Sequence, residues 1–232
     1  MCPTTSSFPS SSGMRMAELT ALVVDYGGVL TTSLDSSTRA WIAEDGLDPE
    51  LVRTAMRTII AESYGKGDGM IHGLETGRIP AAEFEKQLAH ELGQAGVPGI
   101  DPAGLLGRMF SGMREETGMT GALLRARAAG LKTALLSNSW GNEYPREGWD
   151  EMFDETVISG EVGMRKPEPE IFRLVADKLG VETSACVFVD DIATNVKGAV
   201  AVGMVGVHHT DVDTTLAELE VLLGIPMRGP SQ

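Results

Sequence analysis

From Leu131 onward, short apolar runs alternate along the chain with segments whose apolar residues recur at helical spacing. The pattern predicts strands over 132–136, 156–159, 185–189 and 204–207, and helices over 169–179, 192–202 and 214–223. One earlier apolar run, over 19–24, contains β-branched residues and is followed by a glycine turn, as expected of a buried strand. Such alternation is typical of a parallel sheet whose strands are joined by crossover helices. The sequence therefore predicts an α/β fold.

Polar residues that could take part in catalysis or ligand binding follow these predicted strands. Asp25 closes the first strand, Ser137-Asn138 follows the second, and Asp190-Asp191 closes the strand predicted at 185–189. Lys166 lies shortly before the helix predicted at 169. Because parallel strands bring their carboxyl ends to one edge of a sheet, we expect these residues to converge there although they are far apart in sequence.

The region between the first strand and Leu131 has a different character. It contains helical patterns over 37–43, 49–63, 81–92 and 102–113 and no convincing strand. We therefore predict an α/β core formed by 19–34 and 113–232, a helical insertion over 35–112, and a disordered tail over 1–18. The first thirteen residues of that tail are rich in Ser, Thr and Pro, and translation could begin at Met1, Met14 or Met16.

Four short segments resemble, in order, the motifs of the haloacid dehalogenase-like (HAD) superfamily. Residues 25–30, Asp-Tyr-Gly-Gly-Val-Leu, resemble its first motif, Asp-x-Asp-Gly-(Thr/Val)-(Leu/Ile). Ser137-Asn138, Lys166 and Asp190-Asp191 resemble the second, third and fourth motifs. Residues 73–84 resemble a pattern of the helical-cap branch, which includes the phosphatase-like domain of soluble epoxide hydrolases. The resemblance implies a Rossmann-like parallel sheet with helices on both faces and an inserted α-helical cap.

The resemblance also implies a role for each motif residue. Asp25 is the expected nucleophile, which forms an aspartyl-phosphate and so divides one difficult step into two. Lys166 is expected to balance the charge of that carboxylate and of the substrate phosphate. The expected phosphate-binding residues are Gly28, Ser137, Asn138 and Lys166. Mg²⁺ prefers oxygen ligands, and the expected ligands are Asp25, the carbonyl of Gly27, Asp190 and Asp191.

Gly27 departs from the family pattern, since most phosphatases of the family have a second Asp there. That Asp protonates the leaving group, which is typically worth about 10²–10⁴ in rate. Three interpretations follow: a Mg²⁺-dependent phosphatase of a small phosphorylated metabolite, an inactive protein that binds a phosphorylated ligand, and a 2-haloacid dehalogenase. Two neighbouring carboxylates beside Asp25 repel one another unless a cation holds them, which ranks the dehalogenase last.

The insertion contains candidate residues for supplying the missing acid or for binding an anionic substrate. The candidate acids are Asp35, Glu44, Asp45, Asp68 and His72, and the candidate cations are Arg39, Arg53 and Arg57. The sequence does not choose among them, because cap residues follow no transferable code.

Net charge narrows the class of partner. Nineteen basic and 33 acidic residues give a net charge of −14, which repels nucleic acid and anionic lipid. No apolar run approaches the roughly 18 residues of a membrane span. Cys2 and Cys186 do not form a disulfide framework, which fits a cytoplasmic protein. We therefore expect a small phosphorylated partner; substrate identity and oligomeric state do not follow from the sequence.

Overall fold

The computed structural model describes residues 18–65, 69–141 and 144–229. The predicted tail, apart from Glu18, and the candidate acid Asp68 lie outside the described residues. No helix within the described ranges is long and apolar enough to cross a membrane.

A five-stranded parallel sheet forms the centre of the α/β core. Its strands are β1 (Ala21–Val24), β2 (Lys132–Ser137), β3 (Glu155–Ile158), β4 (Cys186–Asp190) and β5 (Val205–His208), in the order β3-β2-β1-β4-β5. β1 is the central strand, and its Val24 is in register with Leu135 on one side and Val189 on the other. The carboxyl ends of these three strands therefore reach the same edge of the sheet. The predicted strands are confirmed, with ends displaced by no more than two residues.

Helices of the inserted segment follow β1. They are α1 (Leu34–Glu44), α2 (Pro49–Gly65), α3 (Met70–Glu75), α4 (Ala81–Gln94) and α5 (Leu105–Phe110). Their apolar faces share a hydrophobic cluster that includes Trp41, Phe84 and Met109. The structure differs from the sequence prediction at two of these helices. α3 forms where no helix was predicted, and α5 begins three residues late because Gly104 takes a left-handed φ of 66° before it.

The core helices cover both faces of the sheet. They are α6 (Thr117–Ala128), α7 (Trp149–Met152), α8 (Ser159–Val162), α9 (Pro169–Leu179), α10 (Ala193–Ala201) and α11 (Val212–Leu223), with a 3₁₀ turn at Thr183–Ala185. Alternate residues of β1 face opposite sides: Leu22 and Val24 belong to one cluster, Ala21 and Val23 to another. This confirms the Rossmann-like fold.

α6 was not predicted from the sequence. Gly118 and Gly121 interrupt its pattern, and glycine disfavours a helix interior by roughly 1 kcal/mol. Burial of Met119, Leu123 and other apolar residues against the sheet stabilises it. α9, by contrast, begins and ends where its spacing predicted, with Gly180 as a left-handed C-cap.

Candidate active site

A buried lysine joins two of the strand-end carboxylates. Lys166 Nζ lies 2.8 Å from Asp25 Oδ1, just beyond β1, and 2.6 Å from Asp190 Oδ2, at the end of β4. The Lys166 side chain is fully buried, and Asp190 is equally inaccessible. A buried charge is stable only when it is paired and hydrogen-bonded, so this lysine fixes both carboxylates at the edge of the sheet.

Asp190 is held on both of its carboxylate oxygens. Its Oδ1 accepts hydrogen bonds from the Ile192 amide at 2.8 Å and from Asn195 Nδ2 at 3.1 Å. Its Oδ2 accepts from Lys166 Nζ and again from Asn195 Nδ2. These donors leave Asp190 little capacity for another ligand. Asp191, the next residue, instead lines the cavity that Asp25 also borders.

Three carboxylates form a group suited to a divalent cation. Asp25, Asp190 and Asp191 each present an oxygen that lies within 4.8 Å of the others. Magnesium takes carboxylate and carbonyl oxygens with water, so this donor set fits Mg²⁺. Since Asp190 is occupied by its hydrogen bonds, Asp25 and Asp191 are the carboxylates best placed to hold the ion.

The electrostatics of the group also favour a cation. Burial and the charges of Asp190 and Asp191 raise the pKa of Asp25 to about 7, although Lys166 opposes the shift. Burial and Asp190 raise the pKa of Asp191 to about 6. Burial alone would lower the pKa of Lys166, but Asp190 and Asp25 outweigh burial and raise it. Negative charge is therefore concentrated beyond what one lysine neutralises.

The end of β2 supplies neutral donors beside Asp25. Asn138 Nδ2 donates to the Lys166 carbonyl at 3.0 Å, and its Oδ1 accepts from the Lys166 amide at 2.9 Å. This reciprocal pair fixes the Asn138 amide against the loop that carries the lysine. The Ser137 hydroxyl is 3.0 Å from the hydroxyl of Tyr144, a cavity residue that the sequence did not indicate.

The two glycines of the first motif have different surroundings. A Cβ at Gly28 would lie 2.2 Å from Asp191 Oδ2, and Gly28 has a φ of 77°. Only glycine permits this close approach of Asp191 to the backbone. A Cβ at Gly27 would meet only Met113 Cε, at 3.7 Å. Position 27 therefore has room for a side chain.

A cavity of about 750 Å³ opens from Asp25 toward the inserted helices. Apolar and aromatic side chains form much of its wall: Leu30, Leu34, Ile60, Phe110, Met113, Trp140, Tyr144, Trp149, Met152 and Ile192. Its acidic members besides Asp25 and Asp191 are Glu75, Glu115 and Glu147, and of the described lining residues Arg114 alone is basic.

A buried ion pair connects the inserted helices to the core. Arg165 Nε donates to Glu75 Oε2 at 2.6 Å, and both side chains are more than nine-tenths buried. The other oxygen, Glu75 Oε1, accepts from Trp140 Nε1 at 3.2 Å, and the Ser159 hydroxyl donates to the Glu75 carbonyl. Glu75 thereby contacts both the residue before Lys166 and the loop after Asn138.

The candidate acids of the insertion do not line this cavity within the described ranges. Asp35 is exposed and paired with Arg39, Asp45 accepts from Trp41 Nε1, and His72 is buried within α3. Glu44 also lies away from the cavity, as do the candidate cations Arg53 and Arg57. The acidic insertion residue that does reach it is Glu75.

Known proteins resemble this chain in sequence and fold. The sequence profile of haloacid dehalogenase-like hydrolases matches residues 19–203. Bifunctional epoxide hydrolase 2 of Sus scrofa is 29% identical over 227 residues, covering 90% of the chain and 40% of that protein. A sesquiterpene phosphatase of Aspergillus oryzae is 35% identical over 141 residues, covering 58% of the chain and 71% of the relative.

The fold of the chain is also similar to that of solved structures. An enzyme of Bacteroides thetaiotaomicron in complex with magnesium and inorganic phosphate aligns with a TM-score of 0.57 and 25% identity, covering 82% of this chain and 93% of that one. The chain spans less than half the length of the pig epoxide hydrolase.

Proposed function

The chain belongs to the haloacid dehalogenase-like hydrolases, and from that membership we propose that it is a Mg²⁺-dependent phosphatase that acts through Asp25. One observation carries the proposal: Asp25 borders the cavity, is bound to a buried lysine, and lies within a cluster of three carboxylates. The inserted segment 35–112 would serve as the cap over this site.

Asp25 would attack the phosphorus of a phosphate monoester and break its P–O ester bond, so that the leaving oxygen departs as an alkoxide or phenolate and takes a proton from water. Asp25 would carry the phosphoryl group until a second water attacks the phosphorus and releases phosphate. Lys166 holds the attacking carboxylate in place and offsets the charge of the phosphoryl oxygens. Ser137 and the Asn138 amide would donate hydrogen bonds to those oxygens. Mg²⁺, held by Asp25, Asp191 and the Gly27 carbonyl, would supply further neutralisation of phosphate charge.

The absence of a side chain at Gly27 decides which leaving groups depart easily. No carboxylic acid stands at position 27 to protonate the departing oxygen, and the nearest atom to that empty space is Met113 Cε. Esters whose leaving oxygen is already a weak base, such as aryl phosphates, need no such proton. We therefore expect the protein to prefer aryl to alkyl phosphates.

The cavity beyond Asp25 would receive the organic part of the substrate. Its wall is apolar over much of its area, and Glu115 and Glu147 disfavour a second anionic group. An uncharged, apolar alcohol fits this wall better than a sugar bisphosphate or a nucleotide. The name of the relative from Aspergillus oryzae, a sesquiterpene phosphatase, is in keeping with that choice.

A second candidate is a protein that binds a phosphorylated ligand without turnover, which Gly27 favours. A 2-haloacid dehalogenase remains the third, and the group of Asp25, Asp190 and Asp191 disfavours it because dehalogenation needs no cation. In each case we expect a small-molecule partner, no nucleic acid, and a cytoplasmic location.

Hydrolysis assays separate the three candidates. Phosphate release from p-nitrophenyl phosphate and from an alkyl phosphate is measured with Mg²⁺ and with EDTA, alongside halide release from a 2-haloacid. Metal-dependent release that Asp25→Asn abolishes supports the phosphatase. Halide release in EDTA would establish the dehalogenase, and no turnover of any substrate would leave the binding protein.

A further inference from the structure

Tyr144 lies at the junction of the cavity and the phosphate-binding end of β2. Its hydroxyl is 3.0 Å from Ser137 Oγ, and it lines the same cavity as Asp25. The Ser139 hydroxyl also interacts with the phenol oxygen. A second hydroxyl therefore lies within hydrogen-bond distance of the serine that is expected to bind phosphate.

Which of the two hydroxyls donates the hydrogen bond decides whether the Ser137 proton is available to the substrate. A serine hydroxyl has one proton and two lone pairs, and its proton rotates to suit its partners. If Ser137 donated to Tyr144, that proton would no longer be available to a phosphoryl oxygen. If Tyr144 donates instead, the Ser137 oxygen is satisfied as an acceptor and its own proton is free to point into the cavity.

The phenol retains the proton that donation by Tyr144 requires. Burial, together with the nearby charge of Asp25, raises the pKa of Tyr144 to about 12. The phenol therefore keeps its proton throughout the neutral range. An ionised Tyr144 would be an acceptor and would draw the Ser137 proton away from the substrate.

Aromatic packing fixes the ring that carries this donor. The Tyr144 ring meets Tyr26 edge-on at 5.0 Å between centroids and lies 5.6 Å from the Trp149 ring. Contacts of this kind favour definite ring orientations. A donor held in place before the substrate arrives need not reorganise during the reaction, which is what makes such donors effective.

We propose that Tyr144 is a positioning residue, which donates its phenolic proton to Ser137 and thereby aims the Ser137 hydroxyl proton at a phosphoryl oxygen of the substrate. This inference rests on the proposed function, because it assumes that phosphate binds beside Ser137. Tyr144 would strengthen phosphate binding by orienting the Ser137 hydroxyl, without contacting the phosphate itself.

A double-mutant cycle on phosphate binding tests the assignment without requiring turnover. The affinity of inorganic phosphate in the presence of Mg²⁺ is measured by calorimetry for the unchanged protein, Tyr144→Phe, Ser137→Ala and the double variant. Phenylalanine preserves the ring packing, and a thermal melt of each variant checks the fold. Tyr26→Phe, which removes a hydroxyl from the neighbouring ring, is the matched control and is combined with Ser137→Ala in the same way.

The expected result is a loss that depends on Ser137. Tyr144→Phe alone should weaken phosphate binding about two- to tenfold, the value of one neutral hydrogen bond, and should change it less than about twofold once Ser137→Ala is present. Tyr26→Phe should have the same effect with and without Ser137→Ala. An equal loss from Tyr144→Phe in both backgrounds would mean that the phenol contacts phosphate itself, and no loss in either would mean that it does nothing; both overturn the assignment. If the protein without any substitution binds no phosphate, the proposed function is overturned as well.

Discussion

Replacing Gly27 by aspartate should restore a general acid where the structure leaves room for one. The Cβ of the new residue would meet only Met113 Cε, at an ordinary contact distance of 3.7 Å, and Gly27 does not have a positive φ. An L-residue therefore fits without strain. Gly27 lines the same cavity as Asp25 and Asp191, and negative charges in that cavity favour the protonated form of an added carboxylic acid. It would then carry a proton to give to the leaving oxygen.

The expected gain depends on the leaving group. General acid catalysis contributes about 10²–10⁴ in rate, which corresponds to about 3–5 kcal/mol of transition-state stabilisation. Gly27→Asp should raise kcat for an alkyl phosphate toward that range. It should change kcat for p-nitrophenyl phosphate by much less, because that leaving group needs little protonation. The measurement is the ratio of kcat for the alkyl phosphate to kcat for p-nitrophenyl phosphate, obtained from phosphate release in the presence of Mg²⁺.

A control variant separates acidity from shape. Gly27→Asn has nearly the same size as Gly27→Asp but no proton to transfer, so it should leave the substrate ratio unchanged. Suppose that Gly27→Asp keeps the melting temperature but raises kcat equally for both substrates, or for neither. The missing acid then does not limit turnover. The same conclusion would follow if Gly27→Asn gave an equal gain on the alkyl ester.

Three more perturbations address the metal, its pH dependence and the contact between insertion and core. Asp190→Asn breaks a buried pair with the lysine and should lower Tm by roughly 10 °C, whereas Asp191→Asn should not lower the metal-free Tm and should lose the response to Mg²⁺. The reverse pattern in thermal melts would mean that Asp190, and not Asp191, holds the metal. The pKa values of Asp25 and Asp191 are raised in the folded protein, to about 7 and about 6. Without metal, the free energy of unfolding should therefore be highest below about pH 4, where both groups are protonated, and should fall as pH rises toward 7 and they ionise. Mg²⁺ binds the ionised carboxylates, so the rise in Tm that it produces should be larger at pH 8 than at pH 5, and an equal rise in calorimetry at both pH values would contradict this. Glu75→Gln removes the carboxylate from a buried ion pair and should cost about 3 kcal/mol in urea unfolding, against less than about 0.5 kcal/mol for the exposed control Glu83→Gln; equal costs would show that the pair adds no stability.

The order of strands and helices in the core could be predicted because the signal is local. A strand buried on both faces, such as β1 or β4, reads as a continuous apolar run, and α9 has both an amphipathic repeat and a glycine at its end. Convergence of Asp25 and Asp190 followed from the same pattern, since parallel strands end together. Elements with a weak local pattern, such as α3 and α6, were missed because tertiary packing stabilises them.

The sequence by itself determined which residues reach the edge of the sheet, because strand ends are fixed by patterns a few residues long. It also identified Gly27 as the departure from the family's first motif. It did not distinguish Asp190 from Asp191, since only the folded chain brings Lys166 and Asn195 to one of the two adjacent carboxylates.

Contacts between distant segments were decided by the tertiary structure alone. Glu75 and Arg165 are 90 residues apart, and neither segment indicates its partner. Tyr144 follows β2 in a stretch of sequence without periodicity, and its contact with Ser137 is set only by the folded chain. Local patterns determine where an element starts and stops, but pairing across the fold depends on the packing of whole elements, and no short stretch of sequence encodes it.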